Sequence, residues 1–257
     1  MKVLESPTAR VLLDLCAKGS ARDWHGFVGS GASRWLQSKE LLEVESDLDL
    51  SAPYRPMNIS FPKLALEYFM ITGAQVDQEI IDEPQLPLMI LQVDGTGSMY
   101  RVVWESVKDD RPPLELYIHL ISHASRCTGP GSVVYRCQPQ NIIALAGLLP
   151  HQDEILMREL NLGYAAMRNI LPEGVAVLDW SMPIPIHIGM PMTEPMLQDM
   201  KKFVGHIGEK ISNHEVVVLI GEGIICTSDN VQVVFGITCS TERAAAIRLK
   251  MLAADRD

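Results

Sequence analysis

The chain has 257 residues, 47% of them hydrophobic and 21% charged, with a formal net charge of -10. That much apolar material can fill one large core, and with no linker-like stretch in view a single domain over residues 1–257 is expected. An acidic balance of this size repels a phosphate backbone and an anionic membrane surface, so neither nucleic acid nor membrane is expected as a partner, and a small ligand or another protein is.

No apolar run approaches the twenty or so residues of a spanning helix, and the opening MKVLESPTAR is too short and mixed for a secretory leader, which predicts a cytoplasmic protein. Cys16, Cys127, Cys137, Cys226 and Cys239 are odd in number, scattered and never arranged as C-x-x-C, which argues against a disulfide framework or a zinc ribbon.

In chain order, ARVLLDLCAKG has helical spacing, with Gly19 as its stop. GFVGSGASRWL follows, glycines leading into a strand. From about 66 to 105, LEYFMITG and LMILQVDGTGSMYRVVW read as strands, with Asp94 to Gly97 as a hairpin turn. PPLELYIHLISHASRC (112–127) is the clearest helix, with proline in its first turn. SVVYRC is then a strand and PQNIIALAGLL a helix, and a third helix lies within HQDEILMRELNLGYAAMRNIL. GVAVLDW reads as a strand, TEPMLQDMKKFVGHI as a helix with a threonine cap, EVVVLIGEGIICTS as a strand pair, and VVFGITCSTERAAAIRLKMLAAD as a closing helix. Helices and strands interleave without strict alternation, so an α/β sheet flanked by helices fits better than a barrel.

Several groups could carry chemistry. Glu115, His119 and His123 recur at i, i+4 and i+8, along one helix face. Carboxylate and imidazole are metal ligands, but two turns span roughly 12 Å at 1.5 Å per residue, too far for one ion to touch all three. The plainer reading makes the histidines hydrogen-bonding residues beside the sheet. GFVGSGAS has the glycines of a phosphate-cradling loop but matches neither the Walker pattern nor a dinucleotide fingerprint. Arg136 and Glu222 are charges inside apolar, strand-like runs, where an unpaired charge is costly. Cys137 has a positive neighbour in Arg136 but no assigned base, so it is expected to be an inert thiol.

The segments PLELYIHLISHA, SVVYRCQPQNIIALAGLL, LPEGVAVLDW and VVVLIGEGIICTSDNVQVVFGITCSTERAAA, in that order, resemble the class II aldolase/adducin family from about residue 10 to 252. The resemblance implies a three-layer α/β/α fold with a mostly antiparallel central sheet, assembled as a homotetramer with sites between subunits. It also implies zinc-assisted cleavage of a ketose 1-phosphate into dihydroxyacetone phosphate and lactaldehyde. In such a reaction zinc polarises the hydroxyketone and a glutamate moves the proton.

Carried over residue by residue, Glu115 matches the acid/base glutamate, while Pro113 and Leu114 stand where a hydroxyl pair is expected. Arg136 and Gln138 fall on a His-x-His pair, and Glu222 falls on the third histidine of the zinc set. The phosphate-pocket candidates are Gly29, Gly31, Ser33 and Gly73; Gly31 replaces an asparagine, and Ala74 stands where a serine belongs. The expectation is that the Arg136 guanidinium occupies the zinc position and pairs with Glu222 and Glu115, so that no cofactor is needed. A new ligand set from Cys137, Glu222 and a histidine is disfavoured, because Arg136 repels the ion. The implied function is a non-catalytic member, a pseudoenzyme acting as a binding or assembly module that takes a sugar phosphate. The alternative is an active aldehyde-lyase using Glu115 as acid/base in a rebuilt or metal-free site.

Overall fold

The computed structural model describes residues 2–25, 30–73, 87–108, 111–113, 115–126, 129–179 and 191–255. The helices are α1 (Pro7–Ser20), α2 (Ser38–Val44), α3 (Leu116–Ser125), α4 (Gln140–Leu148), α5 (Asp153–Gly163), α6 (Met167–Ile170), α7 (Glu194–Asn213) and α8 (Val231–Ala254). The strands are β1 (Gly31–Trp35), β2 (Arg55–Pro56), β3 (Tyr68–Thr72), β4 (Leu88–Val93), β5 (Met99–Glu105), β6 (Val133–Cys137), β7 (Ala176–Leu178), β8 (Val216–Leu219) and β9 (Gly223–Ser228). They form one sheet in the order β2-β5-β4-β3-β1-β6-β9-β8-β7. The β7–β8 pair is parallel, and every other pairing is antiparallel.

The sheet is covered on both faces. Leu12 and Leu15 of α1, Ile142 and Leu145 of α4, Leu156 of α5 and Val234 of α8 pack on one face with Val133, Tyr135 and Cys137 of β6. Leu116 and Ile118 of α3 and Phe203, Val204 and Ile207 of α7 pack on the other with Val134. Alternate residues of a strand point to opposite faces, so Arg136 shares the side of Val134 and is directed to the layer of α3 and α7. The three-layer fold is the one the sequence led us to expect.

Several local expectations need correction. Gly19 lies inside α1 rather than ending it, and a β-carbon there would sit 2.1 Å from the Tyr135 hydroxyl. Its role is close packing of α1 on β6. Pro112 and Pro113 precede α3, and the Leu116 N–H closes a turn onto the Pro113 carbonyl at 3.0 Å. The stretch 151–171 holds two helices, α5 and α6, separated by the turn at Tyr164. Thr193 is at the N-cap of α7, but its side chain makes no capping hydrogen bond. The hairpin at Asp94 stands as expected: its carboxylate accepts from the Ser98 and Met99 N–H groups at 2.9 and 2.8 Å, with Gly97 at φ 73°.

Candidate functional site

Arg136, near the end of β6, is 3% exposed, and Glu115 is 4% exposed. The Arg136 Nη2 donates to Glu222 Oε2 at 3.1 Å, and its Nη1 lies 3.6 Å from Glu115 Oε1. The second contact is an ion pair without hydrogen-bond geometry, and Glu115 Oε1 has no hydrogen-bond partner among the described residues. Burial pushes the Glu115 carboxyl above the usual carboxylate range, the Arg136 charge pulls it back, and Glu222 adds a further upward push. Among the described residues, two carboxylates thus meet the same guanidinium.

Distant parts of the chain build this cluster. Glu115 caps the start of α3, and its carbonyl receives the His119 N–H at 3.1 Å. Glu222 is in the turn joining β8 to β9, not within a strand as expected, and its side chain is 24% exposed at the rim. Gly221 and Gly223 flank it at φ 77° and 132°, conformations that disfavour a side chain. A β-carbon on Gly223 would lie 2.3 Å from the Cys137 carbonyl oxygen, so glycine is what lets this turn close over the end of β6.

His119 and His123 do not join a metal set. The Ser33 hydroxyl lies 2.8 Å from His119 Nδ1 and 2.8 Å from His123 Nε2, and His123 Nδ1 lies 2.9 Å from the Ser132 hydroxyl. All four residues are buried. Burial holds His119 down to about 3, with the Arg136 charge adding to it, and lowers His123 well below its ordinary value. Both imidazoles are therefore neutral, and the chain Ser132–His123–Ser33–His119 ties α3 to β1 and to the residue before β6. Sequence reasoning found the histidines and missed their serine partners, which only strand register brings under the helix.

Among the remaining candidates, Gly29 lies outside the described residues. Gly31 pairs across the sheet with Arg136, and a β-carbon there would meet the Thr72 hydroxyl at 2.4 Å. That hydroxyl accepts the Ala32 N–H at 3.2 Å, another contact that sequence reasoning missed. Gly73 uses its N–H on the Pro87 carbonyl at 2.7 Å. Ser33 is 1% exposed, with its hydroxyl engaged by the two imidazoles. Gln138 is partly buried just past β6, its N–H on the Trp24 carbonyl at 2.7 Å. Cys137 is fully buried, and burial pushes its thiol well above the ordinary value, so it is no thiolate.

Zinc takes neutral imidazole, thiolate or carboxylate donors. Here a permanently charged guanidinium lies between the two carboxylates, and among the described residues no three His, Cys, Asp or Glu side chains are grouped to hold an ion. This donor set does not fit zinc.

No protein-family model matches the chain. It is 24% identical over 235 residues to a rhamnulose-1-phosphate aldolase of Klebsiella pneumoniae, covering 90% of this chain and 80% of that one. It is 26% identical over 242 residues to the rhamnulose-1-phosphate aldolase of Pectobacterium atrosepticum, covering 93% and 81%. Its fold is similar to that of a sugar-phosphate aldolase from Thermotoga maritima, with a TM-score of 0.67, 17% identity and coverage of 96% and 94%. It is also similar to an L-fuculose-1-phosphate aldolase from Thermus thermophilus, with a TM-score of 0.54, 13% identity and coverage of 96% and 94%. No helix among the described residues is long and apolar enough to cross a membrane. Along nearly its whole length the chain is similar in sequence to rhamnulose-1-phosphate aldolases, and it shares its fold with those two aldolase structures.

Proposed function

We propose that this chain is an aldolase scaffold in which Arg136 stands where the family resemblance puts a zinc ion, and that it serves as a sugar-phosphate-binding or assembly module without zinc-dependent cleavage. The observation that carries this reading is the buried guanidinium between Glu115 and Glu222, at 3.6 and 3.1 Å. A guanidinium has no open coordination position and cannot chelate both oxygens of a hydroxyketone as zinc can. Engagement of the Ser33 hydroxyl and the Gly73 N–H within the protein is consistent with a changed phosphate pocket. The sugar phosphate is proposed from the names of the relatives, and the tetramer from the resemblance.

One observation favours a second reading, a metal-free lyase. Burial raises the Glu115 carboxyl, so it can carry a proton beside a guanidinium able to stabilise a developing enolate. Elemental analysis of the purified protein and cleavage of rhamnulose 1-phosphate, with and without added zinc, decide between them. The expected result is less than stoichiometric zinc and no cleavage. Stoichiometric zinc with turnover overturns the proposal, and metal-independent turnover abolished by Glu115→Gln selects the second reading. The triple variant R136H/Q138H/E222H is expected to acquire zinc, and failure to do so in a folded variant counts against Arg136 standing at the metal position.

A further inference from the structure

A groove of about 790 Å³ opens at the end of the sheet where β7 and β8 begin, between α5, α6 and the close of α7. Glu222 follows β8 at its other end, so the groove is separate from the Arg136 cluster. On α5, Arg158 and Asn161 are three residues apart and share a face, and Arg168 of α6 joins them in lining the groove.

The charges there do not cancel. Glu159 is shared between Arg158 at 3.0 Å and Arg248 at 2.6 Å, leaving one carboxylate for two guanidinium groups. Arg168 has no ion-pair partner among the described residues. Of the acidic lining, Asp153 is held by Lys210 at 2.7 Å and by the Val177 N–H at 2.7 Å, and Glu173 is held by Arg126 at 2.6 Å. Of the lining charges, Glu154 faces Arg168 and an Arg158 that must share Glu159 with Arg248, in a chain whose net charge is -10. Asn161 Oδ1 is a buried acceptor without a hydrogen-bond partner among the described residues. A buried acceptor left unpaired costs free energy that a ligand's hydroxyl would recover.

We propose that this groove binds a small hydroxylated phosphate. Its phosphate would lie against Arg158 and Arg168, whose planar forks suit that group, and a hydroxyl would donate to Asn161. The site is independent of the reading given to Arg136. Calorimetric titration with glycerol 3-phosphate, inorganic phosphate and glycerol tests it. Glycerol 3-phosphate is expected to saturate a site about tenfold more tightly than inorganic phosphate, with glycerol alone silent. Arg168→Ala should weaken both phosphates, and Asn161→Ala should remove the preference for glycerol 3-phosphate, with the urea midpoint of each variant showing that the fold is kept. No saturable binding by the parent protein overturns the proposal. So does binding that survives both variants unchanged or is lost instead in Glu222→Gln, which would place it at the Arg136 cluster.

Discussion

Replacing Arg136 by alanine removes the guanidinium that meets both Glu115 and Glu222 among the described residues. Glu115 bears most of the consequence, because its side chain is 6% exposed and Oε1 already lacks a hydrogen bond among the described residues. Glu222, at 24%, can turn to water and recover hydration. Breaking a buried pair by deleting one partner costs about 3–5 kcal/mol, and the exposure of Glu222 places the expectation near the lower figure, about 3 kcal/mol. In a chain of this size that is a fall of about 6–12 °C in Tm.

The pH dependence gives a sharper test. The folded-state value of Glu115 is raised by burial, so the folded protein binds more protons than the unfolded chain between the unfolded value and the folded one. The group's contribution to stability is therefore greatest below the unfolded value and is lost as pH rises through the folded one. Without the Arg136 charge, which holds the carboxyl down, the upward shift grows and the loss on raising pH becomes larger. Urea unfolding at pH 5 and pH 8 should show a greater deficit for Arg136→Ala at pH 8, and Glu115→Gln in that background should recover part of it. A variant that melts with the parent, or one whose deficit is the same at both pH values and unmoved by Glu115→Gln, refutes the buried ion cluster.

Ser33→Ala removes the hydroxyl shared by His119 and His123, leaving buried imidazole nitrogens unpaired; a loss of about 1–3 kcal/mol is expected from urea unfolding. Gly223→Ala places a β-carbon against the Cys137 carbonyl at a φ of 132°, and a cost of about 1–3 kcal/mol from the backbone strain, with more from the close contact, should appear in the same assay. A Gly223→Ala variant as stable as the parent would show that the turn is not packed as described. Cys137 should resist iodoacetamide in the native protein at pH 8 and react after unfolding, as mass spectrometry of the peptide would show.

Local pattern made much of the architecture legible. Helical spacing marked α1, α3, α4, α7 and α8, and the turn chemistry of Asp94 to Gly97 marked the β4–β5 hairpin, because propensity, periodicity and turn residues act over neighbouring positions. The charges at Arg136 and Glu222 were visible as anomalies for the same reason, and their pairing was foreseeable from the family resemblance. What the sequence left open was everything decided by contacts between distant segments. Gly19 looked like a helix stop until the Tyr135 hydroxyl was found against it, and the two histidines read as hydrogen-bonding residues without named partners until the sheet brought Ser33 and Ser132 beneath them. Glu222 looked like a strand residue until Gly223 was seen to press against the end of β6. The sequence by itself determined the order of elements, the family likeness and the excess of carboxylates. Only the tertiary structure decided which charges meet, because sheet register and helix packing are set by burial across the whole chain and carry no signature in any short stretch of it.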